Sequence, residues 1–262
     1  MIELRSVSKS WDGGQTWSVK DVSLTLPEGR FLALVGESGS GKTTTLKLLN
    51  RLVEPTEGQV FVGGEDISTV DPVQLRRRMG WVLQAIALFP HWTVARNVET
   101  VPRLLGWETS RIRTRVDELL SLVGLDPSIY RDRLPAQLSG GQRQRVGVAR
   151  ALAAEPSLLL MDEPFGALDP VTRDALQRDI LRLHAELSLT TVMVTHDMAE
   201  ALTLADQVAI MKDGQLVEEG TPRDLLNGAS HPYVRDLLQT PLRHAEALHA
   251  LAEAEDDAGR AP

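Results

Sequence analysis

A glycine-rich segment near the start of the chain has the residue types and spacing that bind a triphosphate. Residues 36–43 read Gly-Glu-Ser-Gly-Ser-Gly-Lys-Thr, which matches the pattern Gly-x-x-x-x-Gly-Lys-Ser/Thr. Its glycines let backbone N–H groups face the phosphates closely, and the helix expected to follow offers its positive N-terminal end. We predict that Lys42 reaches the β- and γ-phosphates and that the Thr43 hydroxyl ligates magnesium. The predicted nucleotide contacts are Gly36, Glu37, Ser38, Gly39, Ser40, Gly41, Lys42, Thr43 and Thr44.

Two adjacent carboxylates, Asp162 and Glu163, follow an apolar run that is typical of a buried strand. Unpaired charges would be costly to desolvate there, so we expect a cation nearby. Ligands of parallel α/β sheets lie at the carboxyl ends of the strands, which places Asp162 in the crevice of the phosphate-binding loop as the predicted magnesium ligand. Alternation along an extended backbone turns Glu163 in another direction, so that it can act on the attacking water as general base or polariser.

A histidine, His196, ends a further apolar run that begins at Thr191. Of the six histidines in the chain, it alone follows a predicted core strand in this way. We therefore predict that His196 contacts the γ-phosphate or the attacking water. The alternative is a structural or solvated histidine.

Residues 139–142, Ser-Gly-Gly-Gln, precede a stretch in which Val146, Ala149 and Leu152 share one helical face. Ser139 is a good N-cap, and the glycines expose backbone N–H groups to an anion. The alternative is an ordinary capped helix, which capping preferences alone favour.

Short apolar runs alternate with amphipathic stretches along the chain, which predicts an α/β fold. Strands are expected at 2–7, 19–26, 31–35, 60–62, 157–161, 190–195, 207–211 and 215–218, and a helix at 42–52. Between about Leu88 and Ala154 the apolar positions follow helical spacing. We therefore expect a core formed by 1–85 and 156–240, an inserted helical subdomain at 86–155, and a flexible, acidic tail at 241–262.

The composition excludes several classes of function. Lys and Arg total 28 against 36 Asp and Glu, and this acidic balance argues against a general nucleic-acid binder. Because the chain has no cysteine, thiolate metal sites, disulfides and cysteine nucleophiles are excluded, and a reducing compartment is favoured. The first residues lack a signal-peptide core, and no run approaches the ~20 apolar residues of a membrane span. We expect the protein in the cytosol, where it can still dock on a membrane protein.

Taken together, these segments resemble the nucleotide-binding subunit of an ABC transporter over about residues 1–230. The resemblance is carried, in this order, by 36–43, Gln84, 138–142, 158–163, 167–169 and His196. It implies a P-loop NTPase (RecA-like) core with an N-terminal antiparallel β subdomain and an inserted α-helical subdomain. It also implies ATP and Mg²⁺ as ligands and an ATPase activity coupled to transport.

The resemblance assigns further roles to individual residues. Two subunits are expected to pair head to tail, so that Ser139, Gly140, Gly141 and Gln142 of one contact the γ-phosphate held by Lys42 of the other. Asp169 is then a dimer contact. Gln84 approaches magnesium and the attacking water, which makes it both a metal ligand and a catalytic residue.

Two aromatic features match the family as well. Trp11 matches the position of the residue that stacks on adenine, commonly a tyrosine in the family, and Trp17 is a second candidate. The segment 85–98 corresponds to the surface that receives a coupling helix of the permease. The alternative for its apolar residues 88–92 is packing within the loop.

Four longer stretches, 88–98, 101–107, 147–173 and 195–214, are similar to the import ATPases for quaternary-amine osmoprotectants such as glycine betaine, carnitine and choline. This similarity implies permease subunits as direct partners, an extracytoplasmic solute-binding protein as an indirect one, and a peripheral location on the cytoplasmic face of the inner membrane. The second subunit is a copy of this chain or a paralogous ATPase.

Two alternatives stay open at this point. One is an import ATPase for another solute, such as amino acids. The other is a soluble ABC ATPase that acts on nucleic acid or ribosomes, but the zinc cysteines, long coiled-coil insertions and second cassette of such proteins are missing from this sequence. Many osmoprotectant ATPases carry a regulatory pair of CBS domains after the core, whereas here only the short acidic tail follows it.

Overall fold

The computed structural model describes residues 1–243 and contains two β-sheets with helices packed around them. The strands are β1 (Ile2–Lys9), β2 (Val19–Leu26), β3 (Phe31–Val35), β4 (Glu57–Val62), β5 (Glu65–Asp66), β6 (Met79–Val82), β7 (Leu158–Asp162), β8 (Thr190–Thr195), β9 (Gln207–Lys212) and β10 (Gln215–Gly220). The helices are α1 (Lys42–Leu49), α2 (Pro72–Arg77), α3 (Val94–Val98), α4 (Thr100–Leu104), α5 (Thr109–Leu122), α6 (Pro127–Tyr130), α7 (Gly140–Leu152), α8 (Pro170–Glu186), α9 (Met198–Leu204), α10 (Pro222–Gly228) and α11, described over 232–243.

The larger sheet has the strand order β10-β9-β3-β8-β7-β6 and is parallel except for the β9–β10 hairpin. Every residue of β3, β7 and β8 is buried, which explains why these strands are continuous apolar or β-branched runs without alternation. Because β6, β7, β8 and β3 are parallel neighbours, the segments that follow them meet at one edge of the sheet. Those segments carry Gln84, the Asp162–Glu163 pair, His196 and the phosphate-binding loop.

The smaller sheet is antiparallel, with the order β2-β1-β4-β5. Alternate residues of its strands, including Leu4 and Leu24, face a core that also contains Leu46 of α1 and Leu34 of β3. This packing holds the loop between β1 and β2 next to the phosphate-binding loop.

Residues 94–152 form helices α3–α7 and contain no β-strand, as their apolar spacing predicts. Val116 and Leu119 lie on the buried face of α5. They belong to the same hydrophobic core as Val146 and Ala149 of α7 and one face of the large sheet.

The α/β fold and the predicted strands are confirmed, but two details of the prediction are wrong. The helix that follows the phosphate-binding loop ends at Leu49 and not at residue 52, because the chain enters the left-handed region at Arg51. The strand prediction also lacks β5 and β6, which have only two and four residues and are too short for a clear pattern.

The predicted tail, 241–262, lies mostly outside the described residues, and its first residues, 241–243, belong to α11. Within residues 1–243, no helix combines the length and the apolarity that crossing a bilayer requires.

Candidate nucleotide-binding site

The backbone of the phosphate-binding loop lies very close to the backbone of two neighbouring segments, at Ser18 and Met211. Gly39 and Gly41 have φ values of 86° and 100°, a left-handed conformation that glycine adopts without steric cost. A Cβ on Gly36 would collide with the carbonyl oxygen of Met211, and one on Gly41 with that of Ser18. The loop therefore needs glycine at these positions to lie where it does.

The ammonium group of Lys42 lies inside the loop, and only 5% of the residue is exposed. Nζ donates hydrogen bonds to the carbonyl oxygens of Gly36 and Glu37, both at 2.8 Å. Burial lowers the pKa of Lys42, and the carboxylates of Glu163, Asp162 and Glu37 oppose this shift. The loop thus holds a cationic group in a fixed position through two hydrogen bonds, which is an arrangement suited to binding a triphosphate.

Asp162, the last residue of β7, lies beside the start of α1. Its Oδ1 accepts a hydrogen bond of 3.0 Å from the Thr43 hydroxyl. Burial raises the pKa of Asp162, while the bond from Thr43 acts in the opposite direction. Two of the three predicted magnesium ligands, Thr43 and Asp162, thus lie within hydrogen-bond distance of each other.

Glu163 is the point at which the three predicted catalytic side chains meet. Its Oε2 accepts a hydrogen bond of 2.9 Å from Gln84 Nε2 and lies 3.5 Å from Nδ1 of His196. These residues come from the ends of three adjacent parallel strands.

The direction of the Glu163 side chain has a different cause from the one predicted. The strand ends at Asp162, so strand alternation does not extend to Glu163. Glu163 instead has φ 44°, and its N–H donates to the carbonyl oxygen of Val194 at 2.9 Å. A non-glycine residue in this conformation is strained, and such strain is common where a side chain must be aimed at a reacting group.

A cleft of about 340 Å³ opens in front of the loop. It is lined by Ser18, Ser38, Gly39, Gly41, Lys42, Thr43, Thr44, Gln84 and Glu163. Three residues of the predicted nucleotide contacts, Gly36, Glu37 and Ser40, do not line it. Gly36 packs on Met211, the Glu37 amide bonds to Tyr233, and the hydroxyl of Ser40 is buried.

Trp11, the predicted adenine contact, does not line this cleft either, and 63% of its surface is exposed. Its indole N–H donates to the hydroxyl of Ser18 at 2.8 Å, and Lys9 Nζ lies 4.7 Å from the centre of its ring. Trp17, the second candidate, is half-buried. The exposed indole of Trp11 therefore has the better position for stacking on a base.

The segment 139–142 caps helix α7 as its sequence predicts. The Ser139 hydroxyl accepts from the Gln142 N–H at 3.2 Å, and Oε1 of Gln142 accepts from the Ser139 N–H at 2.9 Å. Ser139 is exposed, and Gly140, Gly141 and Gln142 are half-buried. None of the four lines the cleft around Lys42 of the same chain.

Asp169 is exposed and caps helix α8 through a hydrogen bond of 3.0 Å from the Thr172 N–H. Hydrogen bonds from Thr172 lower the pKa of Asp169. A Cβ on Gly141 would meet the side chain of Thr172, so the α7 cap and the α8 cap are neighbours on one surface.

The segment 85–98 contains a loop followed by α3. Phe89, Pro90 and His91 are exposed, whereas Leu88 and Trp92 are half-buried. The rings of Phe89 and Trp92 lie 4.3 Å apart, and the buried side chain of Asn97 bonds to the backbone of Phe89. The loop thus packs on itself, as one interpretation predicts, and still exposes Phe89, so its role as a permease contact stays a prediction.

Sequence reasoning missed the residues that hold the turn at His196. The Thr195 hydroxyl donates to Glu200 Oε2 at 2.6 Å and accepts from the Asp197 N–H at 3.0 Å. Burial raises the pKa of Glu200. Nothing in the sequence distinguishes Glu200 from any other glutamate in a helix. Only its position about one helical turn after His196 could have suggested that it supports the turn there.

Ser18 was missed because nothing in its local sequence signals a site. Gly214, in the β9–β10 turn, joins the start of β2, next to Ser18, to the phosphate-binding loop, and in this way Ser18 reaches the cleft. The carbonyl of Gly214 accepts from the Lys20 N–H, and its N–H donates to the Ser40 carbonyl.

Comparison with known proteins agrees with this geometry. The model of the family described as "ABC transporter" matches residues 19–166, more than half of the chain. The chain is 53% identical over 235 residues to the glycine betaine uptake system ATP-binding protein YehX of Escherichia coli, covering 90% of this chain and 75% of that protein. It is 50% identical over 238 residues to the choline transport ATP-binding protein OpuBA of Bacillus subtilis, covering 91% of this chain but 62% of that protein.

Solved structures show the same fold. The dimeric ATP-binding cassette MJ0796, in a post-hydrolysis state bound to ADP and Pi, superimposes with a TM-score of 0.76 at 34% identity and covers 85% of this chain and 99% of that one. A second structure, cbiO1 of Clostridium perfringens, gives a TM-score of 0.80 at 25% identity over 95% and 98% of the two chains. The chain belongs to the ABC transporter family and has the fold of its ATP-binding cassettes.

Proposed function

We propose that this chain is the ATP-hydrolysing subunit of an ABC importer. The observation that carries the proposal is the convergence of Gln84 and His196 on the carboxylate of Glu163, at the wall of the cleft that contains Lys42. A base next to a triphosphate site is the arrangement that hydrolysis requires.

The donor set of the cleft fits Mg-ATP. Magnesium prefers oxygen ligands and retains waters and phosphate oxygens, so few protein ligands are needed. Thr43 Oγ1 and Asp162 Oδ1, 3.0 Å apart, and the amide oxygen of Gln84 supply such ligands. Among residues 1–243, no cluster of three or more His, Asp or Glu forms a metal cage, which agrees with a metal that arrives with its nucleotide. Bound magnesium neutralises phosphate charge as the phosphoryl group is transferred.

The protein residues mainly position and polarise the reactants. Lys42 and the loop N–H groups bind the β- and γ-phosphates, and Trp11 stacks on the adenine. Glu163 accepts the proton of the attacking water, while Gln84 and His196 fix the orientation of its carboxylate and contact the water.

A second subunit completes the site in this proposal. The exposed cap at Ser139 offers N–H groups and a hydroxyl but lies away from its own cleft, so its anion is the γ-phosphate held by another subunit. Gly140, Gly141 and Gln142 belong to this contact, and Asp169 lies close by on the same surface. We infer a head-to-tail pair, formed by two copies of this chain or with a paralogous ATPase.

The transported solute is a quaternary amine such as glycine betaine, carnitine or choline in this proposal, because YehX and OpuBA are named for glycine betaine and choline. The chain spans 62% of OpuBA, so the solute, the permease and the solute-binding protein belong to the proposal. The segment 85–98 is the permease contact, on the cytoplasmic face of the inner membrane. Residues 1–85 and 156–240 form the ATP-binding core around the helical subdomain 86–155.

Lys42→Ala tests nucleotide binding. We expect a much weaker but still measurable affinity for Mg-ATP in a fluorescence titration, because the cation inside the loop is removed. The exposed Lys20→Ala variant on β2 is the control and should bind like the wild type. Equal ATP affinity of Lys42→Ala and Lys20→Ala would contradict the assignment.

Glu163→Gln tests the base. The amide cannot accept the proton, so we expect retained ATP binding, a fall in kcat of about 100-fold or more, and an ATP-bound dimer on size exclusion. The exposed Glu57→Gln variant should hydrolyse ATP normally. Wild-type turnover by Glu163→Gln would remove Glu163 from the mechanism.

A further inference from the structure

Helix α11, which the family model does not reach, contacts the phosphate-binding loop through one side chain. The hydroxyl oxygen of Tyr233 accepts a hydrogen bond of 3.2 Å from the backbone N–H of Glu37. The ring of Tyr233 is half-buried against the main core, and Lys212 Nζ lies 4.8 Å from its centre. The ring is therefore held by packing and by a cation above its face, independently of the hydroxyl.

The same peptide group is bound at its other end by Lys42. The carbonyl of Gly36 and the N–H of Glu37 form one planar peptide unit. Lys42 Nζ donates to that carbonyl at 2.8 Å, and Tyr233 accepts from that N–H. A rotation of the peptide would break both bonds, so the position of the Lys42 ammonium is coupled to the Tyr233 hydroxyl.

The hydroxyl is also suited to this position electrically. Burial raises the pKa of Tyr233, the hydrogen bond from the Glu37 N–H opposes this shift, and the carboxylates of Glu37 and Asp213 add to it, so that the pKa lies above its usual value. The phenol thus stays neutral at physiological pH and adds no negative charge beside a loop that binds phosphates. A carboxylate at this position would accept the same hydrogen bond but would repel the nucleotide.

We propose that Tyr233 is a positioning residue for nucleotide binding, whose hydroxyl holds the Gly36–Glu37 peptide and thereby the ammonium of Lys42. Through this contact α11 becomes part of the nucleotide site. The inference rests on the proposed function, because it assigns a role within the same binding loop.

Tyr233→Phe removes the hydroxyl and keeps the ring. We expect the Kd for Mg-ATP, measured by fluorescence titration, to rise about three- to tenfold, the usual effect of one lost hydrogen bond. Amide hydrogen exchange at Glu37 should become faster, because its N–H loses its acceptor. In the Lys42→Ala background the same substitution should change the residual affinity by less than about twofold, since the coupled group is gone.

Leu237→Ala is the matched control, because it weakens the packing of the same helix and keeps the hydroxyl. We expect this variant to lower the melting temperature with little effect on Kd. A Tyr233→Phe variant with wild-type Kd, unchanged exchange at Glu37, or an equal loss of affinity in Leu237→Ala would overturn the inference. If the wild type itself binds no Mg-ATP, the proposed function fails and the inference falls with it. If the wild type binds and Tyr233→Phe binds equally well, the inference alone fails.

Discussion

At the scale of single residues, the site depends on ionisable side chains that are buried with a specific partner. Lys42 bonds to loop carbonyls, and Asp162 accepts a hydrogen bond from Thr43. Glu200, 8% exposed, accepts a bond from Thr195 next to His196. Each partner compensates part of the desolvation cost, and each holds a functional group in one orientation. Burial still shifts the pKa of all three groups toward the neutral form.

Glu200→Gln tests the effect of that burial on stability. Burial raises the folded-state pKa of Glu200 above the ordinary value of 4.5. Below pH 4.5 the group is protonated in both states. As the pH rises through the window above 4.5, the unfolded chain ionises first, so the wild type loses free energy of unfolding. We expect urea denaturation to show that the wild type becomes less stable relative to Glu200→Gln across this window.

The groups around Glu200 do not change the sign of this expectation. The hydrogen bond from Thr195 lowers the pKa of Glu200, as do Arg173 and His196, and Asp197 raises it, but burial has the largest effect and the net shift is upward. Glutamine keeps an oxygen that can accept from Thr195, so packing is preserved. A constant stability difference between the two proteins at all pH values would show that Glu200 does not titrate in this window.

At the scale of elements, the decisive feature is the junction between β3 and α1. Strand β3 is buried, α1 begins directly after Gly41, and the turn between them packs on the carbonyls of Ser18 and Met211. The loop is therefore positioned by Ser18, directly before β2, and by β9 as well as by its own sequence. Gly41 has two separate requirements, a left-handed backbone and the absence of a side chain.

Gly41→Ala should lower the free energy of unfolding by more than about 2 kcal/mol, since both requirements are violated. Gly106→Ala is the matched control, because Gly106 has φ 73° but nothing within 4 Å of an added Cβ. Gly106→Ala should lower the free energy of unfolding by only about 1 kcal/mol, because it introduces backbone strain without a steric collision. Chemical denaturation measures both values. Equal losses would mean that the approach of Ser18 to Gly41 is unimportant.

At the scale of the whole molecule, the proposed function assigns half of a composite site to each of two surfaces of the chain. In that proposal the cleft around Lys42 binds the phosphates, and the exposed cap at Ser139, which does not line that cleft, provides further donors to a second subunit. Two such molecules can satisfy both surfaces only when they are arranged head to tail. Each composite site then takes Lys42 from one copy and Ser139 from the other.

Mixing two inactive variants tests this arrangement. Lys42→Ala removes the loop cation, and Ser139→Arg blocks the cap. Each homodimer should be inactive, but the mixed dimer contains one site in which both surfaces are intact. We therefore expect the mixture to regain part of the ATPase activity in a phosphate-release assay, whereas each variant at doubled concentration stays inactive. An inactive mixture would contradict a site shared between two copies of this chain.

Much of this molecule could be predicted from local patterns along the chain. The buried strands β3, β7 and β8, the cap at Ser139 and the phosphate-binding loop each depend on residues that are close in sequence, so periodicity and spacing reveal them. The common edge of the parallel strands followed from the general geometry of such sheets. Whether each predicted site residue has its assigned role stays a prediction.

Other features depend on contacts between distant segments. The orientation of Glu163 is set by its bond to Val194, the access of Ser18 to the cleft by Gly214, and the contact of Tyr233 with Glu37 by the docking of α11. These contacts join residues about 30 to 200 positions apart, and their hydrogen bonds form only when whole elements pack together. Local sequence carries no signal for them, because the free energy that selects them comes from the assembled core.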